Sequence, residues 1–189
     1  MSLSDTVYST ITHSDNWGTM GLKKTSLDAA VLTISFASYL NEENAGEEGL
    51  TPTNHWSIFL KIEENQSVRI DAVPNSPGEP AMIIVDTLIC AMTDDVVHVV
   101  AATTTTRTTV AEILNLIIAK RRHNYVFSPV GEGCRFWLYT LAQDLSEAKI
   151  ISQDDANAAR HDLQHYWPSP VGTVSQHRAF NKGTFLDSA

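Results

Sequence analysis

An α+β domain is the fold class this sequence predicts: an antiparallel β-sheet with helices packed on one face. Three observations carry that prediction. Between residues 27 and 103, β-rich apolar runs recur between polar turns. After residue 109 the spacing of apolar residues becomes helical. A length of 189 residues and 43% apolar content suit one domain with a core of its own. Strands first and helices afterwards give the segregated α+β arrangement.

The elements follow in chain order. Residues 1–25 are polar and Ser/Thr-rich, and are expected to be extended or poorly ordered. "LDAAVLTISFASYL" (27–40) reads as a strand, with Val31, Thr33 and Ser35 alternating against Leu32, Ile34 and Phe36. "NEENAGEEGLTPTN" (41–54) reads as an acidic, solvated loop. "HWSIFLKI" (55–62) and "SVRIDAVP" (67–74) flank the polar "EENQ" and form a hairpin. Pro74, Pro77, Gly78 and Pro80 then break the pattern. "AMIIVDTLICAM" (81–92) and "VVHVVAAT" (96–103), on either side of "TDD", predict a second hairpin.

"TVAEILNLIIAKRR" (109–122) is the clearest helix. Thr109 and Glu112 fit a capping box, and Val110, Ile113, Leu114, Ile117 and Ile118 form one apolar face. "NYVF" (124–127) reads as a short strand and "CRFWLYTLAQDL" (134–145) as a helix that buries Trp137, Leu138, Leu141 and Leu145. A last helix is expected over 152–167, starting at Ser152 with Asp155 at the box position, and residues 170–189 form a tail.

Composition narrows the function. A net charge of −9 argues against a nucleic-acid partner, because phosphate binding needs clustered Lys and Arg. The one basic cluster, Lys120-Arg121-Arg122, ends a predicted helix, where cations complement the dipole. No apolar run approaches the roughly 20 residues of a membrane span. The start lacks the pattern of a signal peptide. Two cysteines, Cys90 and Cys134, make no disulfide framework. These features predict a cytoplasmic protein, and nothing in them calls for a metal or cofactor. They leave the oligomeric state open.

Cys134 is the first candidate for chemistry. It opens a helix behind Gly131 and Gly133. There the dipole and unpaired N–H groups stabilise a thiolate, and the same N–H groups can serve an oxyanion. It also shares a face with Trp137, Leu138 and Leu141, so a buried structural cysteine is the competing reading. His55 begins a strand and is either a base or a surface residue. Asp71, in the partner strand, either fixes the tautomer of His55 or guards a sheet edge. Arg135 either holds a substrate carboxylate beside the thiol or pairs with Glu132. The pair His161 and His165 has metal-ligand spacing, but no third ligand is evident, and a solvated helix face is the better reading. His98 reads as a satisfied strand residue.

Together, "NHWSIFL", "SVRIDAVPNS" and "EGCRFWLYTL" resemble the circularly permuted papain-like thiol enzymes of the lecithin:retinol acyltransferase-like group. In that pattern a His-Trp pair opens a hairpin, a polar orienting residue precedes a proline on the second strand, and a Cys starts a helix downstream with aromatics after it. His55-Trp56, Asp71 before Pro74, and Cys134 before Phe136 and Trp137 match in that order. Two positions depart from it: Gly133 stands where the group has Asn, and Asp71 where it has His. "NHWSIFL" and "GCRFW" also resemble a group of fungal proteins of unknown function. The resemblance implies permuted papain-like topology, with Cys134 as nucleophile, His55 as base and Asp71 as orienter. It implies a small-molecule or acyl substrate in contact with Trp56, Gly133, Arg135 and Trp137, and acyl transfer or hydrolysis of an amide, ester or thioester. The alternatives are a non-catalytic small-molecule-binding module and an acid/base isomerase or cyclase.

Overall fold

The computed structural model describes residues 1–41 and 52–186. The expected acidic loop falls mostly on 42–51, outside the described residues. In chain order the elements are α1 (Leu3–Thr12), β1 (Trp17–Gly18), a 3₁₀ turn (Lys24–Asp28), β2 (Ala30–Leu40), β3 (Asn54–Glu63), β4 (Gln66–Val73), β5 (Met82–Leu88) and β6 (Val96–Thr109). After these come α2 (Val110–Ala119), β7 (Tyr125–Val126), α3 (Cys134–Glu147), α4 (Gln153–Asp162), β8 (His165–Tyr166), β9 (Gln176–His177) and β10 (Thr184–Phe185). The fold is α+β. A six-stranded sheet runs β1-β5-β4-β3-β2-β6, and it is mixed, because β1 lies parallel to β5 while the other pairs are antiparallel.

Register builds one continuous apolar face. Ile34 and Phe36 of β2 face Leu60 and Ile58 of β3, which face Val68 and Ile70 of β4; Val85 of β5 opposes Ile70, and Ala102 of β6 opposes Ile34. Directly opposed residues share a face, so a single layer of side chains spans five strands. Onto it pack Val7 and Ile11 of α1, Ile113, Leu114 and Ile117 of α2, Trp137, Leu138 and Leu141 of α3, and Ala156 and Ala159 of α4, all in one core.

Three sequence expectations are corrected. Residues 3–12 are a helix, not an extended segment. Ser2 and Asp5 close a reciprocal capping box, and Val7 and Ile11, four apart, drop into the core. The runs in 81–103 are not a hairpin. β5 and β6 sit four places apart and point the same way, so residues 89–95 return across the other face of the sheet. Ser67 Oγ there donates to Cys90 O at 2.8 Å, and the Tyr39 hydroxyl meets that of Thr93 at 3.2 Å. The last helix ends at Asp162, because Arg135 and the Trp167 segment claim the backbone beyond it.

The polar face of the sheet has its own order. Arg69 and Asp86, directly opposed on β4 and β5, form a 2.8 Å ion pair. Helix α2 starts as expected, with Thr109 and Glu112 capping reciprocally.

Ile11 and Leu114 are each fully buried. Ile11→Ala and Leu114→Ala should therefore each lower unfolding free energy by about 2–5 kcal/mol in denaturant titrations. A loss below about 1 kcal/mol for Ile11→Ala would mean that α1 does not belong to the core.

Candidate functional site

The site lies where β3 and β4 meet the first turn of α3. His55 is the second residue of β3, and Asp71 stands two residues before the end of β4. The antiparallel register of these strands carries both to one end of the sheet. His55 Nε2 and Asp71 Oδ1 are 2.7 Å apart. The Cys134 thiol lies close enough to the imidazole that each shifts the other's pKa. Cys134 is the first residue of α3 and is 8% exposed.

Electrostatics couple the three groups. Burial works against charge on His55, yet the Cys134 thiolate and the Asp71 carboxylate raise its pKa from 6.5 to about 11. Burial likewise works against the thiolate. The His55 imidazolium outweighs it, helped by the Trp56 N–H and the Arg135 charge, and holds the thiol below its usual value. The two titrate as a pair, each favouring the charged form of the other.

Gly133 has a packing reason. A Cβ there would lie 2.9 Å from Phe127 Cδ1 and 3.0 Å from Tyr125 Cε1, so no side chain fits. The Tyr125 hydroxyl donates to Gly133 O at 3.0 Å and accepts from Gly183 N at 2.9 Å, clamping the turn before α3 from below. No side chain caps α3, so its first-turn N–H groups stay available to an anion.

A cleft of about 440 Å³ opens on the thiol, lined by His55, Cys134, Asn54, Pro74, Phe127 and Arg135 among others. The remaining predicted contact residues separate into two kinds. Gly133 and Arg135 line the cleft. The Trp56 and Trp137 side chains are fully buried in the core, so they support the site from beneath and do not line it. Arg135 is committed to the protein itself: it donates to the carbonyls of Leu163, Arg178 and Ala179 at 2.8–3.2 Å and lies 3.7 Å from Glu132. It ties the C-terminal segment to α3 and does not stand ready for a substrate carboxylate.

Asn54 escaped the sequence reading. Its Nδ2 donates to Tyr39 O and Trp167 O, and its Oδ1 accepts from Trp167 N at 2.7 Å. That fixes the start of β3, and with it His55. A second His–Asp pair also emerges: His98 Nε2 meets Asp162 Oδ2 at 2.7 Å, and its ring stacks on Trp167. His98 is the satisfied strand residue that the sequence predicts, although nothing local points to Asp162 as its partner. His161 and His165 do not share a helix, since α4 stops at Asp162. No group of three or more His, Cys, Asp or Glu among the described residues is arranged to hold a metal ion. No helix among the described residues is long and apolar enough to cross a membrane.

Fold and site together define an α+β protein with a Cys–His–Asp cluster at the junction of a strand end and a helix start. Residues 34–186 match the model of the family described as Domain of unknown function (DUF7770), and the chain belongs to that family. No curated protein matches the chain, and no solved structure does.

Two outcomes follow. The folded pKa of His55 is raised from 6.5 to about 11, and that of Cys134 lies below 9.0. Above about pH 9 both groups are deprotonated in the unfolded chain, which then holds one proton fewer than the native pair, and stability falls as pH rises toward 11. Wild-type stability minus that of His55→Ala should thus decline between about pH 9 and 11, by up to about 1.4 kcal/mol per pH unit. A difference that stays flat over this range would show that His55 is not held protonated. Separately, Gly133→Ala should cost about 1–3 kcal/mol by forcing the Phe127 and Tyr125 rings aside. Alkylation of Cys134 in a Cys90→Ser background should slow with it.

Proposed function

We propose that the protein is a thiol-dependent acyltransferase or hydrolase acting on an amide, ester or thioester. One observation carries this reading: Asp71, His55 and Cys134, from two strands and a helix start, form a partly buried cluster facing an open cleft. The order His, polar residue, Cys along the chain is that of the permuted papain-like enzymes, with Asp71 in the polar place, and a cytoplasmic, reducing setting would suit a free thiol.

In this mechanism the Cys134 thiolate attacks the carbonyl carbon. The π pair moves onto oxygen, where first-turn N–H groups of α3 donate to it. Collapse of the intermediate breaks the bond to the leaving group, which takes the His55 proton. An acyl-thioester on Cys134 remains. A water or a second nucleophile then gives its proton to His55, attacks the thioester and releases the thiolate. Asp71 holds the ring in one tautomer and stabilises the imidazolium. The tightness of the His55–Asp71 contact and the coupling of His55 to sulfur favour this route over acid/base isomerisation, which needs no thiol.

The test is turnover of p-nitrophenyl esters and alkyl thioesters, with an acyl adduct on Cys134 detected by intact mass. Cys134→Ala should abolish both signals. His55→Ala should lower turnover by about 10²–10⁴-fold, and Asp71→Asn should lower it less. Turnover that survives Cys134→Ala would overturn the thiol mechanism.

A further inference from the structure

The thiol cleft does not end at Cys134. It shares Pro74, Phe127 and Gly131 with a second hollow of about 350 Å³, which continues between the 74–79 and 126–131 loops. Pro74, Pro77, Val126, Phe127 and Pro129 give this hollow an apolar wall. In the cleft, by contrast, Asn41 and Thr53 bring polar groups from the β2–β3 side of His55. The thiol therefore stands between an apolar end and a polar end.

Both loops are shaped before any ligand arrives. Pro74, Pro77 and Pro80 restrict the first loop. Within it Glu79 N–H donates to Ser76 O at 3.0 Å, and Ala81 N–H donates to Tyr125 O at 2.6 Å. In the second loop Ser128 N–H donates to Glu132 O, and Gly131 N–H donates to Ser128 O, each at 2.9 Å. Gly131 takes φ 75°, the left-handed region that favours glycine. A pre-formed apolar hollow that opens onto a few polar groups has the character of a small-molecule subsite.

We propose that this hollow is the acyl subsite of Cys134, and that the substrate carries a medium-sized apolar acyl group. The inference rests on the thiol reading above and adds the substrate class. At roughly 30 Å³ per heavy-atom group, the share of a water molecule in the liquid, the hollow accommodates on the order of ten groups. An unbranched chain of about eight carbons fills it, and an acetyl group leaves it empty. The bond formed joins sulfur to the acyl carbon. The bond broken joins that carbon to the leaving group, which takes the His55 proton and departs toward Asn41 and Thr53.

The experiment uses the full chain in a Cys90→Ser background. Acylation of Cys134 by p-nitrophenyl acetate and p-nitrophenyl octanoate is followed by nitrophenolate release and intact mass, each rate being divided by that of the same ester with free cysteine. Octanoate should be favoured by at least about tenfold, since each buried methylene contributes about fourfold. Ser76→Trp, which places an indole in the hollow, should remove that preference. Equal normalised rates for the two esters in the parent protein would overturn the subsite and leave the thiol mechanism standing. Acylation of Cys134 by neither ester would overturn both. Titrating the Cys134→Ser protein with octanamide reads the hollow without chemistry. Saturable shifts of the Val126 methyl resonances support the subsite, and their absence up to the solubility limit overturns it.

Discussion

The docking of the first turn of α3 against the start of β3 is the constraint on which the site depends. Trp137, Leu138 and Leu141 press α3 onto the apolar face of the sheet, and the Trp137 indole N–H donates to Arg122 O at 2.7 Å. Arg122 in turn holds Asp144 through two hydrogen bonds, of 2.6 and 2.9 Å, fixing the far half of the same helix. With the helix axis set, the position of Cys134 follows from the turn before it. Tyr125 and Phe127 leave Gly133 no room to move, and the sulfur lies close to the His55 ring.

Burying a thiolate, an imidazole and a carboxylate together is costly unless each stabilises the next. Here the carboxylate and the thiol both couple to one imidazole, so the cluster holds its ionisable groups as neighbours. The surroundings share the arrangement. Asn54 secures the backbone that precedes His55, and Arg135 links α3 to the chain at Leu163, Arg178 and Ala179. The apolar core lies directly beneath through Trp56, so the strand that carries His55 is held from the buried side as well as from its end.

Much of this was legible locally. The Thr109–Glu112 box, the apolar stripe of α2, the β3–β4 hairpin and the start of α3 at Cys134 each announce themselves within a dozen residues, because capping and periodicity act over one or two turns or strands. Helix α1 was equally local, with Ser2, Asp5, Val7 and Ile11 at the required spacings, and its polar composition hid it. The convergence of His55 and Asp71 was legible too, from hairpin register together with the order of the motifs.

The sequence by itself determined the α+β class, the apolar face of the central strands, and which side chains of β3, β4 and α3 stand near the ends of their elements. Only the tertiary structure decided that β5 and β6 lie apart and parallel in direction, that Asp162 belongs to His98, that Arg135 grips the C-terminal segment, and that Trp56 and Trp137 face the core and not the cleft. The physical reason is one of range. Period and capping are properties of a short segment. The choice of strand partner, or of the group that a buried charge meets, is settled by what else must be buried against the same surface.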